Sequence, residues 1–431
     1  MTAFNRRNFL QKTGLISGTA FLSAFAKPAW SRNLQHALSD AKNISPDDLA
    51  SEEDFWYYIQ QSFTVSSTII NLNNGGVSPA PKSVQEAMKR YYDYSNEAPS
   101  YYMWRILDMG REKLRKKLAD VAGCSEEEIA MNRNASEGLE TIIFGLTLKA
   151  GDEVVVAKQD YPNIINAWKQ REVRDGIKIV WISLDLPSED ESYLVSSYVN
   201  AFTTKTKAVN ITHIINWNGQ ILPVRKIADE ARKRGIKIVV DGAHSFAHFD
   251  FKIPDLGCDY FASSLHKWLF APIGTGLMYV KKDMIKDLYP LFASDDPLKN
   301  DIRKFEHLGT RPFFIEQAIN KALEFHDMIG IERKQKRLYY LKNYWMERVK
   351  DLPEVVLNTS LKPEWGCAIG NVAIKNKKPS ELDSFLMNKY KIHTVSIEWE
   401  NIKGVRITPN VYTTTKDLDV LVTAIKEFVK T

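Results

Sequence analysis

Between residues 127 and 280 short apolar runs alternate with helix-like stretches, and this alternation restricts the fold more than any other feature of the chain. Seven runs read as strands: 128–131, 153–157, 177–184, 208–213, 237–241, 260–263 and 276–280. Gly, Asp or Pro bounds them, and helical periodicity fills the gaps at 136–148, 164–174 and 224–234. Strands buried on both faces are apolar throughout, so the pattern predicts a mostly parallel sheet covered by helices on both sides. Ligands in such sheets lie beyond the carboxyl ends of the strands. Residues just past each run are therefore the candidates for chemistry.

The flanks read differently. Residues 27–50 are polar and read as a linker, and 51–63 as a helix opening on Ser51-Glu52-Glu53-Asp54, acids that suit a helix N-terminus. Ile69 to Leu72 forms a short strand running into the Asn73-Asn74-Gly75-Gly76 turn, and 81–94 and 104–121 have helical periodicity. Beyond Thr310 the chain is strongly helical from 314 to about 349. A mixed segment, 355–431, then carries short strands at 371–374, 391–396 and 405–408, which predicts a smaller α+β domain.

The N-terminus reads as an export signal. Asn5-Arg6-Arg7-Asn8-Phe9-Leu10 precedes a modestly apolar stretch, and Ala24-Phe25-Ala26 has the small-x-small pattern of a cleavage site. The paired arginines resemble a twin-arginine signal, which export machinery reads for folded proteins. The expected address is the periplasm, with no stable membrane anchor, because the apolar stretch is short and rich in Gly, Ser and Thr. Four units of the formal net charge of +5 also lie there. Removing Arg6, Arg7, Lys12 and Lys27 from the 58 basic residues leaves 54 against 53 acidic ones, so no basic footprint for nucleic acid remains. Cys124, Cys258 and Cys367 are scattered and form neither a disulfide framework nor a metal-spaced set.

At the strand ends, Asp241 closes the run Lys237-Ile238-Val239-Val240-Asp241. A carboxylate in a buried position needs a positive partner or hydrogen bonds. A protonated pyridine nitrogen is one such partner, although an isolated Asp at a strand end more often caps a turn. Lys267 follows the next strand in Ser264-Leu265-His266-Lys267-Trp268. A lysine that attacks an aldehyde must have neutral amine character, which desolvation favours. A lone lysine is usually a solvated charge. The ordered series Asp-Gly-Ala-His, Ser-x-His-Lys and Gly274-x-Gly276 is far more specific than any of its parts.

This series resembles the class V aminotransferases, fold type I enzymes that use pyridoxal 5'-phosphate, and is nearest the isopenicillin N epimerase-like branch. The resemblance runs from about residue 69 onward and includes Leu72 to Gly76, Asn134-Ala135-Ser136, Gly309-Thr310-Arg311 and Arg406 to Tyr412. It implies a seven-stranded, mostly parallel sheet in a large domain (69–313) and a small C-terminal α+β domain (314–431). Residues 1–31 are then the signal and cleavage region and 32–68 a linker and helix. Lys267 would carry the cofactor and Asp241 would pair with its ring nitrogen. Ala135 and Ser136, at a helix N-terminus that is itself an anion site, would hold the phosphate with Ser264 and His266. Tyr161 would stack on the ring, and Asn216 and His244 would reach its phenolic oxygen. Thr310 would contact the phosphate of a neighbouring subunit, which implies a homodimer with shared sites. Arg406 would grip a substrate carboxylate, a task suited to its planar fork, with Asn74 also at the substrate.

The resemblance implies chemistry at the α-carbon of an amino acid or small peptide. Lys267 serves as the base, and transamination, epimerisation and β-elimination all remain open. Cysteine desulfurases of this family need a loop cysteine upstream of the carboxylate arginine, and 388–406 contains none. A lyase acting without a protein thiol is the alternative. A non-catalytic binding protein is a third reading, opposed by the retained Asp241 and Lys267. Epimerisation needs a second proton donor, for which Tyr101, Tyr102 and Tyr161 are candidates.

Overall fold

The computed structural model describes the chain from Ala29 to Thr431, with side chains from Asn33 onward. The paired arginines and Ala24-Phe25-Ala26 lie outside the described residues. A short strand β1 (Ile70–Asn71) precedes the central sheet of β2 (Ile129–Asn132), β3 (Glu153–Ala157), β4 (Lys178–Ile182), β5 (Thr206–Thr212), β6 (Lys237–Asp241), β7 (Tyr260–Ser264) and β8 (Gly276–Val280). Its seven strands lie in the order β2-β8-β7-β6-β5-β3-β4. β8 runs antiparallel to β2 and β7, and the remaining pairs are parallel.

Side chains alternate across this sheet. Val155, Val209, Ile211, Ile238 and Val240 enter one core, while Val154, Val156, Ala208, Val239 and Ala262 enter another on the opposite face. Both faces are thus apolar, which accounts for the unbroken hydrophobic runs. In chain order the principal helices begin with α1 (Ala29–Asp40), α2 (Glu53–Gln61), α3 (Lys82–Glu97) and α4 (Arg111–Ala122). Crossovers follow as α5 (Ala135–Gly145), α6 (Pro162–Asp175), α7 (Glu191–Val199) and α8 (Val224–Arg232).

The C-terminal part begins with α9 (Phe313–Ile329) and α10 (Ile331–Glu347). Next come β9 (Val355–Leu357), β10 (Gly370–Ile374), α11 (Pro379–Tyr390), β11 (Ile392–His393), β12 (Val395–Trp399), β13 (Ile402–Ile407) and α12 (Thr415–Phe428). An antiparallel sheet of order β12-β13-β10-β9 packs on α10, α11 and α12. β11 pairs instead with β1, and the bridge from Asn73 to Thr408 continues this tie between the turn after β1 and the small domain.

Four readings of the sequence change. Residues 27–50 include α1 rather than only linker, and Leu34, Ala37, Ala41 and Leu49 are buried against Phe325, Leu338 and Trp268. The stretch 104–121 is not one helix: a π-helical segment (Tyr102–Leu107) and a 3-10 turn (Asp108–Gly110) precede α4. There the Gln317 amide donates to the Leu107 carbonyl at 2.7 Å, and a side chain inserted into the backbone ladder breaks helical regularity. The stretch 314–349 splits at Gly330, whose φ of 85° is left-handed; α9 packs on α3 and α4, and α10 on α12. The run 391–396 divides between β11 and β12, which belong to different sheets.

Candidate active site

The carboxyl ends of β5, β6 and β7 meet in one row, with Thr212 paired to Asp241 and Asp241 to Ala262. Gly242 follows because a Cβ there would lie 1.9 Å from the Phe261 ring. Gly276 likewise allows Asn134 close to β8, since its Cβ would approach the Asn134 nitrogen to 2.7 Å. These contacts bring the N-terminus of α5 beside the end of β7. A cavity of about 340 Å³ opens there.

Ala135, Ser136, Tyr161, Asn216, Asp241, His244, Ser264, His266 and Lys267 all line this cavity. Segments more than 130 residues apart in sequence thus converge on it. Lys267 sits in a single helical turn, Leu265–Trp268, with Nζ 3.2 Å from His244 Nε2. Burial, with help from Arg406, lowers its pKa to about 8, and Asp241 opposes the shift. Asp241 is held above the ordinary carboxylate range by burial, although the Ala243 N–H donates to it at 2.9 Å and Lys267 lies near. Burial first, then Lys267 and Arg406, pushes His244 well below the usual histidine range, so its ring is neutral at pH 7.

The N-terminus of α5 is held against the end of β7. Asn134 caps α5 through the Glu137 N–H at 2.9 Å, and Ser264 Oγ accepts from the Ala135 N–H at 3.0 Å. His266 Nδ1 donates to the Thr275 carbonyl at 3.1 Å, leaving Nε2 for a ligand. Among the described residues, Asn216 Oδ1, His244 Nδ1 and Arg406 Nε are buried without a hydrogen-bond partner. A lysine with a depressed pKa, a buried carboxylate without a cationic hydrogen-bond partner among the described residues, a helix N-terminus and orphaned polar atoms together suit pyridoxal phosphate. When bound, that cofactor withdraws electrons from a substrate carbon.

Arg406 is not among the residues that line the cavity, but it borders Asn216, which is. Its Nη1 donates to the Asn216 carbonyl at 3.1 Å and its Nη2 to Asn73 Oδ1 at 2.8 Å. No carboxylate pairs with it among the described residues, and burial lowers its pKa to about 10. Asn74 is placed otherwise than expected. Its side chain is buried outside the cavity, donating to Asn71 O and Thr408 O and accepting from Asn71 and the Tyr412 hydroxyl. Its hydrogen-bonding capacity is used up, and Asn73 is the residue that meets Arg406. Thr310 is exposed and does not line this cavity, and neither do Tyr101 and Tyr102.

Thr212, Ile214, Ile164 and Leu139 also line the cavity. The strand-end rule points to Thr212, but nothing local distinguishes the apolar three. Thr212 donates at 2.6 Å to Asp160, a carboxyl whose pKa burial raises to about 7 while Thr212, Asn210 and the Ala157 N–H hold it down. Cys124, Cys258 and Cys367 stay off the cavity wall, and burial pushes Cys124 and Cys367 up to about 12.

The fold and the site define a fold type I pyridoxal-phosphate enzyme. The model of the family "Aminotransferase class-V" matches residues 70–421, and the chain belongs to that family. Isopenicillin N epimerase of Streptomyces clavuligerus is 26% identical over 390 residues, covering 86% of this chain and 97% of the relative. A probable cysteine desulfurase of a Synechocystis strain is 26% identical over 323 residues, covering 69% and 76%. In structure, the chain is similar to a mutant of C-DES with glycine covalently linked to its PLP cofactor, with a TM-score of 0.76 and 19% identity. That match covers 84% of this chain and 98% of the other.

Proposed function

We propose that the enzyme acts at the α-carbon of an amino acid or small peptide, as an aminotransferase or as an epimerase similar to isopenicillin N epimerase. Arg406 carries this reading, because a buried guanidinium without a carboxylate partner beside Lys267 is a receptor for a substrate carboxylate. With the carboxylate on Arg406, the substrate's α-carbon would be turned toward Lys267, whose amine feels the Arg406 charge. Lys267, whose pKa burial brings down to about 8, then takes and returns the α-proton. Asp241 would pair with the protonated ring nitrogen of the bound cofactor, and Tyr161 would stack on its ring. A β-eliminating C–S lyase is the alternative; it requires no protein thiol, in keeping with three cysteines remote from the cavity.

A homodimer fits the exposed position of Thr310, which contacts a cofactor only if a second copy receives it. Twin-arginine export to the periplasm completes the proposal. The decisive experiment is a screen of amino acids and small peptides for shifts in the visible absorption of the purified protein, followed by product identification. A band that shifts with substrate and is lost in Lys267→Ala is expected. A protein that stays colourless with added pyridoxal phosphate would overturn the reading.

A further inference from the structure

Two indole N–H groups grip consecutive carbonyls of the loop that carries Tyr161. Trp399 Nε1 donates to the Lys158 carbonyl at 2.8 Å, and Trp217 Nε1 to the Gln159 carbonyl at 2.9 Å. The two indoles stack with centroids 5.1 Å apart at 24°, and Trp217 continues the row to Tyr161 at 6.4 Å and 31°. Gln159 is pinned in turn to the backbone of Leu184, donating at 2.8 Å and accepting at 3.0 Å.

The two tryptophans come from different domains. Trp217 follows Asn216 just beyond β5, while Trp399 ends β12 in the small domain. That small-domain sheet holds the Asn216-Trp217 segment at two further points. Asn371 donates to the Trp217 carbonyl at 3.0 Å and Arg406 to the Asn216 carbonyl at 3.1 Å, from facing positions on β10 and β13. Beyond Trp399, Asn401 donates to the Leu186 carbonyl at 2.9 Å. Tyr161 itself is 39% exposed, and its ring has one aromatic neighbour, Trp217. A ring that must lie parallel to a ligand needs its supporting shell to fix it.

We propose that Trp399 and Trp217 are positioning residues that set the Tyr161 ring over the cofactor, so that the seating of the small domain governs how tightly the cofactor is held. The proposal rests on the reading of Tyr161 as the stacking ring. Neither tryptophan lines the cavity, so their effect reaches the cofactor through the 158–161 loop. Trp399→Phe keeps an aromatic ring facing Trp217 but removes the N–H together with the five-membered part of the indole.

The test measures cofactor release from the holoenzyme into a scavenging apoenzyme, and the visible circular dichroism of the bound cofactor. Trp399→Phe should speed release about 2- to 10-fold, the range that one neutral hydrogen bond carries, and should weaken the dichroic band. Trp217→Phe should act alike and serves as a second route if the first variant does not fold. Added to Tyr161→Ala, Trp399→Phe should change neither readout further, because both act through one ring. Trp181→Phe, on β4, is the control and should change nothing. If Tyr161→Ala alters release and dichroism while the tryptophan variants do not, the positioning role is wrong and the stacking reading stands. If Tyr161→Ala leaves both unchanged, the stacking reading fails and the proposal with it. An undiminished effect of Trp399→Phe in the Tyr161→Ala background also overturns it.

Discussion

The protonation of Lys267 sets how fast the cofactor-free protein captures pyridoxal phosphate, because only the neutral amine attacks an aldehyde. Burial brings Lys267 to about 8 from an ordinary value of 10.5. At pH 7 about 10% of such an amine is neutral, against about 0.03% of an ordinary lysine, a difference of about 300-fold in reactive species. The capture rate should therefore rise with pH, bend near 8 and level off above it. Two substitutions should move the bend in opposite directions. Asp241→Asn removes a charge that favours the protonated lysine and should shift it down; Arg406→Met removes one that disfavours it and should shift it up. The assay is borohydride trapping after timed mixing, with the label located on Lys267 by mass spectrometry. A bend near 10, or shifts of both variants in the same direction, would refute the argument that desolvation and these two charges control the amine.

Arg406→Lys should raise KM for an amino-acid substrate about 10- to 100-fold with a smaller change in kcat, because a point charge replaces a two-pronged contact worth about 1.5–3 kcal/mol per bond; an unchanged KM would remove Arg406 from the substrate. Glu306 is buried and joins Arg115 at 2.6 Å, Arg111 at 3.0 Å and the Met131 N–H at 2.6 Å. Glu306→Gln should lower stability by about 3–5 kcal/mol, since it strands buried arginines, as read from urea unfolding of the holoenzyme. The arginines hold the Glu306 carboxyl below its usual value despite burial. Its stabilisation is thus present above the ordinary glutamate range and is lost as pH falls through and below it; unfolding that is insensitive to pH 3–5 in wild type would contradict this. Gly242→Ala forces a methyl into the Phe261 ring and should destabilise by about 1–3 kcal/mol, with a fall in melting temperature as the readout. Changing Arg6 and Arg7 to lysine should retain the protein in the cytoplasm; periplasmic recovery of that variant would refute the twin-arginine proposal.

Local pattern and chemistry determined much of this protein. The apolar runs at 153–157, 237–241 and 276–280 coincide with β3, β6 and β8, because strands buried on both faces leave an unambiguous record. Asp241 and Lys267 could be singled out because strand ends are where a doubly wound sheet exposes function, and both line the cavity. The sequence is silent on contacts made across long separations. Residues 27–50 look polar because α1 buries only one narrow face, and its partners, Phe325 and Leu338, lie nearly 300 residues away. Asn73 and Asn74 are neighbours of the same chemical type. Only the pairing of Asn73 with Thr408 and the full hydrogen bonding of Asn74 decide which one faces Arg406. Trp217 and Trp399 carry no motif, and their shared grip on the Tyr161 loop arises when the small-domain sheet is laid against the large one. A strand or a helix end follows from neighbours in the chain. The partner of a buried donor is chosen by packing, and packing exists only once both domains are folded.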